Sequence, residues 1–347
     1  MEHVIARFGS FHCVDELSIN LLLVVAFCID RDKELDTSFD GFIKKYAEPI
    51  KCEIFVPLSG IEISADDMQI GKGILCRFNR AKVLDDLKNS VLCGAIATGG
   101  YGDAVAAMDG TPGIAFRFNS TARRALELAD IEVDRVASVL TMLASFQHGD
   151  EYRVKVEANN LPRLSGHPVM AWGDDACVRV PSPREAAALR IGEGFLENAR
   201  AYGVAGLFPL LAKNYEDLSE LERCVLDGVY WYAIAITDDS IEKRLTSLVT
   251  ACELFFSKRG PDATERFAAG VSRTLAPATD QAGRNALYKD MTLVYDNRSR
   301  ILHDGQREVT ELLLKMRRIA RQLIVEMLKF SMHLKNKSEL WDNLTAT

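Results

Sequence analysis

The sequence lacks paired cysteines, a long apolar run and an excess of positive charge. None of its eight cysteines forms a C-x-x-C pair, so neither the common zinc spacings nor a disulfide framework is expected. The longest apolar run, residues 19–29, is interrupted by Asn20 and is far shorter than the ~20 residues of a membrane helix. The net charge of -7 argues against a basic protein that coats nucleic acid over its whole surface.

These absences favour a cytoplasmic location. The first residues, Met1 and Glu2, are not followed by a charged segment and an apolar run, so no signal peptide is expected. We expect a cytoplasmic protein whose thiols are reduced and buried, with no membrane partner and no cofactor.

Length and composition favour two globular domains. The 347 residues correspond to about two domains at ~150 residues each. Apolar residues make up 48% of the chain and charged residues 26%, which is typical of folded domains. A disordered tail and a coiled-coil rod are therefore not expected.

The first half of the chain has the pattern of a mixed α+β region. Between residues 50 and 120, short apolar runs are broken by glycine, proline and aspartate, which indicates strands and turns. A long helix is predicted from Thr121 to Phe146, with Ser120 or Thr121 as its N-cap. The predicted strands include residues 54–56, 61–63, 73–76 and 113–116, with further strands at 152–156 and 167–180.

The pattern becomes helical after Pro181-Ser182-Pro183, where we place the domain boundary. Residues 1–182 are predicted to form an α+β regulatory or sensor domain, and residues 183–347 an all-α bundle with short connections. The last dozen residues are expected to be loosely held, since Trp341 is their only strong apolar anchor. The predicted helices span residues 184–201, 217–236, 240–258, 262–275, 281–303 and 307–334.

Two charged residues stand alone in apolar helical stripes. Arg298 falls in the stripe that includes Val294 and Leu302, and Glu253 interrupts the apolar segment from Val249 to Phe256. An arginine in such a position is rarely buried unless it is paired. We therefore predict that Glu253 pairs with Arg298 and orients it.

A histidine follows this arginine at a spacing of five residues. In a regular helix that spacing rotates the two positions by ~140° relative to each other, because each residue turns ~100°. His303 precedes Asp304-Gly305, where the helix is predicted to end, and an irregular end would let the backbone turn. The spacing alone does not establish that Arg298 and His303 share one site.

The segment Arg298-Ser299-x-x-x-His303 resembles the Arg-polar-x3-His motif of HEPN-domain ribonucleases. The wider pattern is similar to the ApeA-like HEPN family, with Glu253-Leu254-Phe255 on an earlier helix and Tyr295 to Gly305 at a later helix end. Ser299 departs from the pattern, since many HEPN nucleases have asparagine there.

The resemblance implies a HEPN helical bundle with metal-independent endoribonuclease activity. The catalytic residues would be Arg298, His303 and Glu253, with Asn297, Ser299 and Arg300 contacting the RNA. The ribose 2′-OH would attack the adjacent phosphorus and leave a 2′,3′-cyclic phosphate. Histidine suits the proton transfer and a guanidinium suits the developing phosphate charge. No metal is required.

The same resemblance suggests partners. HEPN domains typically form homodimers in which two Arg/His sets line one cleft, so a homodimer is expected. An antiviral defence or toxin role is expected, with a phage-derived or nucleotide trigger at the N-terminal domain.

From Arg284 to Lys335 the sequence has eleven basic and six acidic residues, which is typical of a phosphate track or of a solvated helix face.

Two other functions remain open. The bundle could be a catalytically inactive HEPN module for RNA binding or assembly. The N-terminal region could be a sensor that binds a nucleotide or a phage signal.

The consecutive aromatic residues Tyr230, Trp231 and Tyr232 are predicted to be mainly core, although at least one must face outward.

Overall fold

A computed structural model of the chain describes its backbone in nine segments. Within them, only the backbone is described at residues 122, 169–172, 177–179, 299–304 and 310–311. The segments are residues 51–64, 66–86, 105–149, 154–158, 169–172, 177–179, 188–257, 262–304 and 310–346. The segment 94–103, which is rich in glycine, and the predicted boundary at 182/183 lie outside them.

The described residues form two compact units that interleave along the chain. The first comprises the described parts of residues 1–58, 67–133 and 158–184, and the second those of 59–66, 134–157 and 185–347. The coarse layout is a small antiparallel sheet followed by a mostly helical region, as the sequence predicts.

The first unit contains an antiparallel sheet in the strand order β3-β4-β5-β1-β7-β8, with the short β6 pairing with β1. Central strand β1 pairs with β5 in the register Ile54 to Phe116 and with β7 in the register Ile54 to Ala171. The apolar runs at 54–56, 73–76 and 113–116 all lie in strands, so those predictions are confirmed. The strands are β1 (Lys51–Ser59), β3 (Met68–Ile70), β4 (Gly73–Arg77), β5 (Pro112–Asn119), β6 (Glu157–Ala158), β7 (Val169–Trp172) and β8 (Cys177–Arg179).

Helices α1 and α2 belong wholly or partly to this unit. Helix α1 (Arg80–Asp86) buries Val83 against Phe55 and Phe78, whose ring centroids are 5.0 Å apart. Helix α2 (Ala122–His148) follows Thr121, whose hydroxyl accepts a hydrogen bond from the Arg124 N–H and so caps the helix as predicted. From Asp134 onward α2 groups with the second unit.

The second unit is built mainly from helices and includes one pair of parallel strands. Strand β2 (Ile61–Ile63) pairs with β9 (Leu189–Ile191). The helices are α3 (Phe195–Ala201), α4 (Leu207–Ala212), α5 (Glu220–Thr237), α6 (Ile241–Phe256), α7 (Ala263–Leu275), α8 (Gln281–Asp304), α9 (Thr310–Ser331) and α10 (Lys337–Ala346).

Helix α6 is the centre of this unit and contacts α5, α7, α8, α9 and α10. Ser219 and Glu222 form a capping box at the start of α5, and the Ser240 hydroxyl caps α6. At Gly270 of α7 an added Cβ would lie 2.4 Å from the ring of Phe256, so the absence of a side chain lets α7 approach α6 closely.

Three sequence predictions about this unit are wrong. The strand predicted over 152–156 is not formed at the described residues 154–156, because the strand β6 begins only at Glu157. The helix predicted over 184–201 begins only at Phe195, because Leu189–Ile191 form strand β9 with buried Leu189 and Ile191. The last residues are also better held than expected, since they form α10.

Helix α10 is anchored by apolar and cationic contacts. Leu340 and Leu344 are buried, and the guanidinium carbon of Arg266 lies 4.0 Å from the centroid of the Trp341 ring. The sequence pattern underestimated this anchor because Arg266 lies about seventy-five residues away on α7.

The aromatic and thiol predictions agree with the described residues. Tyr232 is buried and donates a hydrogen bond to Ser145, whereas Tyr230 is exposed. Cysteines 52, 76, 224 and 252 are free, and three of them are buried. No helix among the described residues is both long and apolar enough to cross a membrane.

Candidate functional site

Helices α6 and α8 bring Glu253 and Arg298 together. One carboxylate oxygen of Glu253 lies 3.3 Å from Nη2 of Arg298, and both side chains keep 22% of their surface exposed. The predicted pairing of these two residues is therefore confirmed. The pair reaches solvent, so the guanidinium is accessible to a ligand.

The local sequence explains this placement. The predicted stripe of α6 is buried at Leu245, Leu248, Cys252 and Phe255, and Glu253 lies beside it, half-buried. On α8, Met291 and Val294 are fully buried, and the stripe ends with Arg298 at the same helical spacing.

Tyr295 is a third member of the cluster. Its hydroxyl donates a hydrogen bond of 2.9 Å to the second carboxylate oxygen of Glu253. The guanidinium carbon of Arg298 lies 5.4 Å from the Tyr295 ring centroid, and the centroid of the buried Phe267 ring also lies 5.4 Å from that of Tyr295. Glu253 thus holds both residues of the Tyr-x-x-Arg segment.

The position of Tyr295 in the sequence is consistent with membership of this cluster. It precedes Arg298 by three residues, and positions three apart lie on one helix face. A tyrosine next to a paired arginine is therefore a candidate hydrogen-bond donor to the same carboxylate.

The cluster influences the ionisation of this tyrosine. Burial raises the pKa of the Tyr295 hydroxyl, and the hydrogen bond and negative charge of Glu253 raise that pKa further. Arg298 opposes the shift. Tyr295 therefore remains a protonated donor to Glu253 throughout the neutral pH range.

Arg298 keeps unused hydrogen-bonding capacity. Its Nε atom is shielded from solvent and has no hydrogen-bond partner among the described residues, a feature that it shares with the Nε atoms of Arg80 and Arg124. A shielded guanidinium N–H without a partner is costly and is normally satisfied by a ligand, a water molecule or a protein group. Guanidinium groups bind phosphate and carboxylate oxygens through several N–H donors at once.

Helix α8 continues past the whole motif to Asp304. The backbone therefore does not turn at His303 as the irregular helix end would have allowed. Positions 298 and 303 are rotated by ~140° about the helix axis. The face that carries position 303 also carries Asp296, one heptad earlier, and Lys289, both of which are exposed.

The other predicted contact residues are only partly described. Asn297 is half-buried, and its amide donates a hydrogen bond of 2.8 Å to the Leu293 carbonyl of its own helix. The side chains of Ser299, Arg300 and His303 lie outside the described residues, and their roles remain predictions.

The predicted basic surface is smaller than the residue count suggests. Arg317 is only 1% exposed and donates to the Gly149 carbonyl, while Arg321 donates to the Ser145 carbonyl. Lys315 forms an ion pair with Asp290. Arg317 and Arg321 are therefore used in the packing of α9, whereas Lys315 stays about half exposed.

Comparisons with protein-family models, with curated proteins and with solved structures returned no match. The HEPN resemblance consequently stays a prediction that rests on the motif residues. Within the described part of the chain, no group of three histidine, cysteine, aspartate or glutamate side chains is arranged to hold a metal ion.

Proposed function

We propose that the chain is a metal-independent endoribonuclease of the HEPN type. The observation that carries this proposal is the Glu253–Arg298 contact, which joins the two segments on which the resemblance rests. The proposal also includes a role as an antiviral defence or toxin effector, which rests on the family resemblance alone.

Arg298 is the phosphate-binding group in this proposal. Glu253 occupies one edge of the guanidinium and Tyr295 lies against it, so the side chain is held while 22% of its surface stays exposed. A positioned guanidinium stabilises the charge that builds on phosphate oxygens as the 2′-OH attacks. Glu253 and Tyr295 act as positioning residues that keep the arginine in place.

His303 transfers the proton. An imidazole can accept the 2′-OH proton or protonate the leaving 5′ oxygen. The products are a 2′,3′-cyclic phosphate and a 5′-OH, so all atoms of the substrate are retained and no water enters this step.

The continuous helix favours a site shared between two chains. Positions 298 and 303 of one chain lie ~140° apart on α8, which is unsuited to one compact site in a single copy. A homodimer solves this problem, because Arg298 of one copy can work with His303 of the other.

The decisive experiment is incubation with total RNA in the presence of EDTA, with mapping of the product ends. We expect cleavage that leaves 2′,3′-cyclic phosphate and 5′-OH ends, and loss of cleavage in His303→Ala. The matched control is His333→Ala, because His333 is exposed just beyond α9 and should be dispensable. Cleavage that requires a metal ion, or products with 5′-phosphates, would refute the mechanism.

A mixing experiment tests the shared site. Arg298→Ala and His303→Ala chains are each expected to be inactive, and unfolding and refolding them together should restore cleavage in the mixed dimers. Failure to recover activity, with dimers verified by their mass, would exclude a site composed of both chains.

The continuous helix also favours a second candidate function. A chain whose Arg298 and His303 cannot meet would be an inactive HEPN module that binds RNA or supports assembly. RNA binding by the intact protein without cleavage, and equal binding by His303→Ala, would support this alternative.

A further inference from the structure

Two cations from other helices hold the end of α6, whose last turn carries Glu253. Arg266 on α7 donates a hydrogen bond of 3.0 Å from Nε to the carbonyl of Phe256, the last residue of α6. Lys337 on α10 donates a bond of 3.4 Å to the Ser257 hydroxyl. The Ser257 N–H in turn donates to the Glu253 carbonyl over 2.8 Å. Because the last carbonyls of a helix have no partner within it, these outside contacts fix the turn that carries Glu253.

Trp341 on α10 holds the arginine that makes the first of these contacts. The guanidinium carbon of Arg266 lies 4.0 Å from the centroid of the Trp341 ring, and that of Arg273 lies 5.8 Å from it. Seven residues are close to two helical turns, so both arginines lie on the same side of α7. An indole ring attracts cations more strongly than the other aromatic side chains. Trp341 therefore favours the orientation in which Arg266 reaches the end of α6.

A second set of contacts begins at the same turn of α7. Phe267 follows Arg266 and is buried, and its ring centroid lies 5.4 Å from that of Tyr295. The Tyr295 hydroxyl donates to the Glu253 carboxylate. Both sets of contacts thus end at Glu253, which holds Arg298.

Helix α10 is itself fixed to the rest of the second unit. Leu340 and Leu344 are buried, and the Lys337 N–H donates a bond of 3.2 Å to the carboxylate of Glu220 at the start of α5. Trp341 is only partly buried, so it contributes less to the core than the two leucines do. Its contacts with the two guanidinium groups distinguish it from a residue that only packs.

We propose that Trp341 is a positioning residue for the candidate site. It holds Arg266 against the end of α6 and so keeps the Glu253 carboxylate on Arg298. It acts through these residues and needs no contact with RNA. The expected effect on cleavage rests on the proposed function, whereas the effect on Arg298 can be measured without RNA.

The first test observes Arg298 in the full chain without RNA. Its Nε–H group is shielded from solvent, so the proton should exchange slowly with water in a proton–nitrogen NMR spectrum. The signal is assigned by its absence from Arg298→Lys. In Trp341→Ala we expect exchange at least about tenfold faster, because the end of α6 opens more often. Trp341→Phe keeps a ring for Arg266 and should restore slow exchange.

Controls separate positioning from a general loss of stability. Tyr230→Ala removes an exposed aromatic residue from α5 and should leave the Arg298 signal unchanged. In Trp341→Ala the main-chain amides of α5 should exchange as they do in the intact protein. Arg266→Lys should reproduce the effect of Trp341→Ala, because an ammonium group lacks the planar face that stacks on the ring.

The second test measures RNA cleavage. Trp341→Ala is expected to lower kcat about two- to tenfold, as for one net hydrogen bond, with KM unchanged. In a Glu253→Gln background the same substitution should have no further effect. A residue that only stabilised the fold would reduce the amount of active protein equally in both backgrounds.

Unchanged exchange at Arg298 in folded Trp341→Ala would overturn the proposal, as would an equal change in Tyr230→Ala. A loss of kcat that is as large in the Glu253→Gln background would also overturn it. If the chain cleaves no RNA, the ribonuclease proposal fails, and the exchange measurement still tests Trp341 by itself.

Discussion

Arg298 on α8 and the arginines of α9 follow the same sequence pattern but occupy different environments. Arg298 shares Glu253 with Tyr295 and stays 22% exposed, whereas Arg317 is buried. Arg317 and Arg321 are used instead to bind main-chain carbonyls at the end of α2. An arginine in an apolar stripe can therefore belong to a functional site or bind the end of a neighbouring helix. Only its contacts distinguish these two roles.

The difference has a physical origin. The end of α2 offers the Ser145 and Gly149 carbonyls, which are unsatisfied within a helix terminus and attract cations. The middle of α8 offers no such groups, so Arg298 requires an acidic side chain from a neighbouring helix. The following predictions test this contrast from the largest expected effect to the smallest.

Replacing Arg298 should affect activity far more than stability. Arg298→Ala is expected to lower the rate of RNA cleavage about 10²- to 10³-fold, the range for removing one stabilising donor from a reacting oxyanion. The free energy of unfolding should change by about 1 kcal/mol or less, because the ion pair is partly solvated. Cleavage kinetics and chemical denaturation measure the two quantities, and unchanged cleavage would show that Arg298 is structural.

Replacing Arg317 should have the opposite effect. Arg317→Ala is expected to lower the free energy of unfolding by about 2–4 kcal/mol, because it leaves a cavity and unsatisfied carbonyl groups. The cleavage rate per folded molecule should stay unchanged. A chemical denaturation curve that matches that of the intact protein would contradict the structural role of this arginine.

Replacing Tyr295 should lower the rate of cleavage less than replacing Arg298 does. Tyr295→Phe removes the hydrogen bond to Glu253 but keeps the ring, so cleavage is expected to fall about two- to tenfold, as for one net hydrogen bond. The effect should vanish in a Glu253→Gln background if Tyr295 acts through that carboxylate. An equal effect in both backgrounds would assign Tyr295 a separate role.

Replacing Asp227 on α5 should have the smallest effect, which concerns the stability of the fold. Burial raises the pKa of its carboxyl above the ordinary 3.8, although the Tyr215 hydroxyl and Arg223 oppose this shift. The folded chain therefore binds the proton more tightly than the unfolded chain, and this contribution to stability is lost as the pH rises through the raised pKa.

Asp227→Asn removes this pH dependence. At pH 7 the variant should unfold about 1–2 °C higher than the intact protein, and the difference should shrink or reverse below the ordinary pKa. Thermal unfolding across this pH range measures it. A difference that grows on acidification would mean that the charged carboxylate stabilises the fold.

Local patterns predicted much of this fold. Apolar runs located β1, β4 and β5, and helical periodicity located α5 to α9 within a few residues. Features that depend on distant partners were missed. Strand β9 exists because β2 lies beside it, and α10 is held by Arg266.

The same distinction applies to the candidate site. Isolated charges in apolar stripes were sufficient to predict the Glu253–Arg298 contact. The burial of Arg317 could not be predicted, because its partner is a main-chain carbonyl at Gly149, more than 160 residues earlier. Residue counts along a sequence therefore overestimate the surface charge of a helix that packs on both sides.

The most direct test of the central claim is a double-mutant cycle on RNA cleavage with Glu253→Gln, Arg298→Ala and the double variant. If Glu253 acts by positioning Arg298, the double variant should cleave no more slowly than Arg298→Ala alone. Effects that multiply in the double variant, or a cleavage rate that neither substitution changes, would contradict this account.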